Sequence, residues 1–285
     1  MNGITDSGPR HITGAPDLSD TGQWRLIIYL AKRGMSAWIK STEDPTARVG
    51  HLFTSAWEHS EETLLRNIEN TVYDHPRILD DYSADIIIET EKCLWVPAAL
   101  TGENPEAKCE EWFTQVWAGT ENQFLTDECG DKLCLHLLAD GLKDFLSRTF
   151  AGTRISSHQT QLVRNLAGRA ADDTRTYVDI RDHEADFVIF SGKNLLVCVT
   201  KEWYSESDIV WHLFNLLEIH GIDPRKAQVC LSGKRTVREQ VARETRPYLG
   251  FLMLTMVPRV ECDTPLPLGV VFCAARNNNI KSKER

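Results

Sequence analysis

Few residues in this chain have the types and spacing that chemistry needs. The densest titratable run is Asp182-His183-Glu184, close to Asp179 and Arg181. Such a set suits acid–base work or metal binding only if the side chains converge. Neighbouring strand residues point to opposite faces, so convergence requires a turn at 182–184. Asp179 closes an alternating run and reads first as a hydrogen-bonding turn residue. Ser232-Gly233-Lys234 is a strand-to-helix turn, and Lys234, Arg235 and Arg238 make a local basic group at a solvated helix start. Cys129 and Cys134 with a histidine could hold zinc, yet the eight cysteines contain no CxxC pair. His158 falls at a strand end near a helix start, and Asp140 is too distant in sequence to argue a triad. No nucleophile elbow, Walker-type loop or HExxH occurs. No residue is therefore assigned a catalytic or metal-binding role.

Composition bounds the rest. The chain has 285 residues, 42% hydrophobic and 26% charged, with a formal net charge of -9. That is globular and long enough for one large or two ordinary domains. An acidic balance offers no general attraction to nucleic acid or anionic membrane. No apolar run approaches a membrane span, and residues 1–21 read as a flexible arm without a signal segment. Dispersed cysteines, several inside apolar runs, suit a reducing cytosol.

Residues 174–203 set the elements that must position those side chains. Tyr177, Asp179 and Arg181 alternate with Val178 and Ile180. Phe187 to Phe190 and Leu195 to Thr200 are further β-rich runs, joined by polar turns, which predicts an antiparallel meander. Ser205 with Asp208 fits a capping box, and Val210, Leu213, Phe214 and Leu217 share a helical face. A strand over 227–231 follows, then a helix over 237–245 capped by Thr236, then a strand over 250–257. The first half reads similarly. Strands are expected over 24–30, 35–41 and 49–57, then a helix opening at Ser60, then a strand over 84–88 that 92–96 pairs with or extends. Between these units, Asn104 caps a helix whose aromatics Trp112, Phe113 and Trp117 suit a core. A strand over 132–138, a helix opened by Asp140, a strand over 154–157 and a helix from Thr160 complete it.

The order strand, strand, strand, helix, strand, helix, strand is the repeating unit of ribonuclease-H-like folds. The succession LLVCVTKEWYSESDIVWHLFNLLEIHGIDPRKAQVCLSGK, with EKCLWVPAAL and LLADGLKDFLSRTFAGTRISSHQTQLV before it, resembles a bacterial domain-of-unknown-function family, number 3822. The resemblance spans about Trp24 to Val257 and lies in order and spacing. It implies an α/β protein with mixed sheets: two ribonuclease-H-like halves in an actin-like ATPase fold. The expected division is 22–172 and 173–275, flanked by the arm 1–21 and a polar tail 276–285.

The resemblance also says where ATP would lie. Active actin-like proteins cradle phosphates with two hairpin turns carrying an acid, a glycine and a small hydroxyl residue. The glycine lets backbone N–H groups reach phosphate oxygens. Here the first turn, Ala31-Lys32-Arg33-Gly34, has no carboxylate. In the second, Asp179 is present but Arg181 stands where glycine is expected, followed by Asp182, His183 and Glu184. The adenosine turn keeps its strand and one glycine, Ser232-Gly233. Asp179, Ser232 and Gly233 are thus the remnants of a nucleotide cleft. The expected function is a non-catalytic interaction or scaffold protein with an unknown protein partner, no nucleic acid and no cofactor. The alternative is an ATPase or small-molecule kinase that binds ATP with magnesium through nonstandard contacts.

Overall fold

The computed structural model describes residues 20–44, 46–57, 62–90, 92–102, 104–117, 124–169, 173–254, 260, 262 and 265–275. Strands β1 (Trp24–Ala31), β2 (Gly34–Ser41) and β3 (Gly50–Ala56) form an antiparallel meander. Helix α1 (Leu64–Asp74) follows, and β4 (Ser83–Ile88) returns parallel to β1. Thr63 caps α1 by accepting from the Arg66 amide at 3.3 Å, so the helix opens later than expected; Ser60 and Glu61 lie outside the described residues.

Next come β5 (Cys93–Pro97), α2 (Pro105–Val116), β6 (Phe124–Cys129) and β7 (Lys132–Leu137). Strand β5 neither pairs with β4 nor extends it. It joins β7 and β6 in a separate three-stranded sheet, because β4 already has β1 on one side and β8 (Arg154–Ser157) on the other. Helix α3 (Leu142–Thr149) intervenes, opened by Gly141 and not Asp140. Helix α4 (His158–Leu166) begins two residues before Thr160, since Ser157 is the cap that accepts from the Thr160 amide. That places His158 on the first helical turn.

The second half repeats the plan. It contains β9 (Thr174–Ile180), β10 (Glu184–Ser191), β11 (Asn194–Glu202), α5 (Glu206–Ile219), β12 (Gln228–Gly233), α6 (Arg235–Thr245), β13 (Phe251–Leu254) and α7 (Leu268–Ala275). The Ser205–Asp208 capping box is formed. Helix α6 starts at Arg235, with Lys234 as a cap lacking a side-chain bond, and not at Val237 with Thr236 as its cap. The five-stranded sheets run β3-β2-β1-β4-β8 and β11-β10-β9-β12-β13. Each therefore has the same order, with the first meander strand beside the two parallel ones.

Alternation along each strand gives every sheet two faces. One face of the first sheet, with Leu26, Ile28 and Ile86, packs on α1 and α3 through Ile68, Val72, Leu142 and Phe145. One face of the second, with Val178, Phe187 and Val229, packs on α5 and α6 through Leu213, Leu217 and Val241. The remaining faces look toward each other across α4 and α7. Val270 and Cys273 of α7 join Ile27 and Ile87, while Leu268 and Phe272 join Tyr177, Val188 and Leu162. Helix α7 is apolar all round, and burial against both sheets uses every side of it.

Candidate functional site

A polar row crosses the inner face of the second sheet. Register sets Ser232 of β12 beside Asp179 of β9, Asp179 opposite Asp186 of β10, and Asp186 opposite Thr200 of β11. All four side chains consequently share one face. Ser232 Oγ donates to Asp179 Oδ1 at 2.7 Å, and Thr200 Oγ1 donates to Asp186 Oδ1 at 2.5 Å. Like charges directly opposite on antiparallel strands repel. His158, fully buried on α4, stands over the pair, its Nε2 3.0 Å from Asp179 Oδ2 and 3.4 Å from Asp186 Oδ2.

The first half reaches the same place from β1 and the end of β4. Tyr29 Oη donates to Glu89 Oε1 at 2.7 Å and lies 3.0 Å from His158 Nδ1. Gly269 of α7 presses on that ring: a Cβ there would fall 2.7 Å from Nδ1, so only glycine lets the helix cover the imidazole.

Arg181 closes the seam. Its Nη1 is 2.7 Å from Glu89 Oε1 and 3.0 Å from Glu184 Oε2, while Nε is 2.9 Å and Nη2 3.2 Å from the two oxygens of Asp186. One guanidinium thus joins a carboxylate of the first half to two of the second, in the fork geometry that favours arginine. Burial pulls its pKa down, but Asp186, Glu89 and Tyr29 raise it well above the ordinary arginine range. Tyr29 is pushed well above the phenol range by burial and then by Glu89. Burial raises Asp179, but hydrogen bonding and charge from His158, then Ser232, hold it below the usual carboxylate range.

Outside this seam opens a cleft of about 900 Å³. Both hairpin turns line it, with Lys32 and Arg33 from the first and Asp182 and His183 from the second; Lys234, Arg235 and Arg238 line the β12–α6 side. Asp179, Ser232 and Gly233, set apart by more than fifty residues in sequence, meet at its base. Gly233 has φ +106°, and a Cβ would sit 2.1 Å from the Ile180 carbonyl oxygen, so no other residue fits there. Asp182-His183-Glu184 does not converge. His183 takes φ 61° and stacks on Trp203, Asp182 is exposed, and Glu184 turns inward to Arg181. Cys129 lies on β6 and Cys134 on β7, and among the described residues neither belongs to a group of three converging metal ligands.

Residue-by-residue reasoning on the sequence missed Tyr29, Glu89, Asp186 and Thr200 and left His158 without a partner. One signal was available: Asp186 is a carboxylate inside the run Ala185–Phe190, where every neighbour is apolar and buried. Like-for-like burial of a charge requires a partner.

The family model for "Protein of unknown function (DUF3822)" matches residues 15–250. The chain belongs to the DUF3822 family. No curated protein matches it at a significant level. Among solved structures, it is similar to a Bacteroides thetaiotaomicron VPI-5482 protein with actin-like ATPase fold and unknown function. That match has TM-score 0.73 and 17% identity, covering 85% of this chain and 94% of the other. It is also similar to the PilM–PilN type IV pilus biogenesis complex, at TM-score 0.49 and 11% identity, covering 81% and 88%. A ROK family protein from Streptococcus pneumoniae TIGR4 matches at TM-score 0.43 and 8% identity, covering 88% and 96%. This DUF3822 protein thus has the actin-like ATPase fold, built from two ribonuclease-H-like halves. Among the described residues, no helix is long and apolar enough to cross a membrane.

Proposed function

We propose that this DUF3822 protein is a non-catalytic member of the actin-like fold that works by binding a protein partner. The observation that carries this reading is Arg181. Its side chain reaches from the second hairpin turn to the first half, held by Glu89, Glu184 and Asp186. With Asp179 close by, four carboxylates surround the place where the family's fold would put phosphates. A phosphoryl group there would meet like charge at short range. Neither residue class fits ATP: the glycine that bares backbone N–H groups is absent from the 181–184 turn, and the small hydroxyl residue is replaced by acids.

Partner binding rests on what the fold leaves outside. Helix α5 buries Leu213 and Leu217 against its own sheet yet leaves Trp211 61% and Ile219 67% exposed. Trp211, the larger of the two, is the side chain this reading assigns to the partner.

A second reading keeps nucleotide binding. The 900 Å³ cleft and its basic side, Lys234, Arg235 and Arg238, favour it. The two readings separate in one experiment, a thermal-shift titration with ATP and magnesium. A ligand at 100 times its dissociation constant adds about 2.7 kcal/mol of stability. No shift at millimolar ATP is the expected result. A saturable shift that Asp179→Asn weakens would replace the partner-binding reading with the nucleotide one.

A further inference from the structure

A cation suits the seam where a phosphate does not. We propose that His158 Nε2, Asp179 Oδ2 and Asp186 Oδ2 form a binding site for one zinc-class dication at the base of the cleft. This goes beyond the partner-binding reading and does not depend on it.

Ligand spacing comes first. Two metal bonds of about 2.1 Å, meeting at octahedral to tetrahedral angles, place their ligand atoms roughly 3.0–3.4 Å apart. The imidazole nitrogen lies 3.0 Å from one carboxylate oxygen and 3.4 Å from the other. All three atoms lie within 4.8 Å of one another, and all three residues are buried. Among the described residues, this is the histidine–carboxylate group that meets those conditions.

The outer contacts are those of a metal centre. A ligating histidine is normally fixed through its other ring nitrogen, and ligating carboxylates are themselves hydrogen-bonded. Tyr29 Oη holds His158 Nδ1, and Tyr29 is oriented in turn by Glu89. Ser232 fixes Asp179, while Thr200 and Arg181 fix Asp186. Next to this set, the amide nitrogen of buried Gln159 donates to Thr200 at 2.8 Å, and its carbonyl oxygen has no hydrogen-bond partner among the described residues.

Charge gives an independent reason. Glu89, Asp179, Glu184 and Asp186 meet one guanidinium and one imidazole in a water-poor seam. Asp179 and Asp186 oppose each other in register. Even an imidazolium leaves the negative groups in excess, and uncompensated buried charge is costly. A dication there narrows that excess. One imidazole with two carboxylates suits Zn²⁺, Co²⁺ or Mn²⁺ over the all-oxygen preference of Mg²⁺ and Ca²⁺. Asp179 and Ser232 line the cleft, which supplies the entry path.

The test uses the full chain, stripped with chelator and free of nucleotide. Zn²⁺ is titrated calorimetrically, and Co²⁺ is added separately and followed by visible absorption. Zn²⁺ should bind saturably at one equivalent per chain. His158→Gln and Asp186→Asn remove a ligand and should each weaken binding by more than the roughly 100-fold that loss of an outer partner costs, and exposed Asp182→Asn should leave it unchanged. Co²⁺ should give a visible band that Zn²⁺ abolishes and millimolar Mg²⁺ does not. This readout needs no variant, so it stands even if His158→Gln fails to fold. Failure of Zn²⁺ to bind at one equivalent, or Asp186→Asn binding as tightly as the unmutated chain, overturns the site. A bound dication would lessen the like charge that argues against a phosphate, so the ATP titration is run on the metal-stripped chain, and the two proposals then fail separately.

Discussion

Arg181→Ala tests how much of the molecule's stability passes through the seam. The guanidinium touches Glu89, Glu184 and Asp186 and is itself 9% exposed. Its loss leaves three carboxylates without their main cation. Removing one partner of a buried ion pair costs about 3–5 kcal/mol, chiefly as desolvated charge left behind. Thr200 and His158 still serve Asp186, so the low end applies, about 3 kcal/mol. For a protein of this size each kcal/mol moves Tm by about 2–4 °C, so Tm should fall by roughly 6–12 °C. Urea denaturation followed by circular dichroism gives the free energy directly. Glu89 lies on the other half, so the pair Arg181→Ala and Glu89→Gln should be coupled by at least about 1 kcal/mol in a double-mutant cycle. Arg181→Lys keeps the charge without the fork and should fall between the wild type and alanine. A loss under about 0.5 kcal/mol for Arg181→Ala, or additive single variants, would refute the view that this side chain joins the halves.

Three further outcomes follow from the same geometry. Asp179 has a folded pKa below its unfolded value, so its stabilisation is complete above the ordinary carboxylate range, near pH 3.9, and is lost as pH falls through the lower folded value. Stability measured from pH 5 down to pH 2.5 should therefore fall less steeply in Asp179→Asn; an unchanged slope removes Asp179 from the acid response. Gly269→Ala puts a methyl group 2.7 Å from His158 Nδ1 and should cost about 1–3 kcal/mol as overpacking, read as a lower Tm. Trp211→Ala removes a mostly exposed ring and should change stability by no more than about 0.5 kcal/mol while weakening partner recovery; a core-sized loss would show that the ring supports the fold.

Local pattern made much of this legible. Short apolar, β-rich runs bounded by polar turns marked both meanders, with alternation visible only near Tyr177–Arg181, because the central strands are buried on both faces. Ser205 with Asp208 marked the start of α5, because a capping box satisfies helix-end amides locally. Ser232-Gly233 was readable as a turn, and the order of elements carried the likeness to the actin-like fold. The boundaries of α4 and α6 were missed by two residues: Ser157, the cap of α4, also ends β8 and reads as strand, and Lys234 caps α6 without a side-chain bond.

What tertiary structure decided was convergence. Asp179 and Asp186 share a face only because β9 and β10 pair in one register; a slip of one residue would separate them. His158 comes from the helix after the first sheet, Arg181 from a turn of the second, and Glu89 from the end of β4. No local period links these positions. The apolar helix α7 announces burial by its composition, yet nothing in that composition says it lies between the two sheets with Gly269 against an imidazole. Residue type set which groups were able to carry charge. The packing of two separate cores around α4 and α7 set which of them meet, because burial energy depends on contacts that no stretch of chain contains alone.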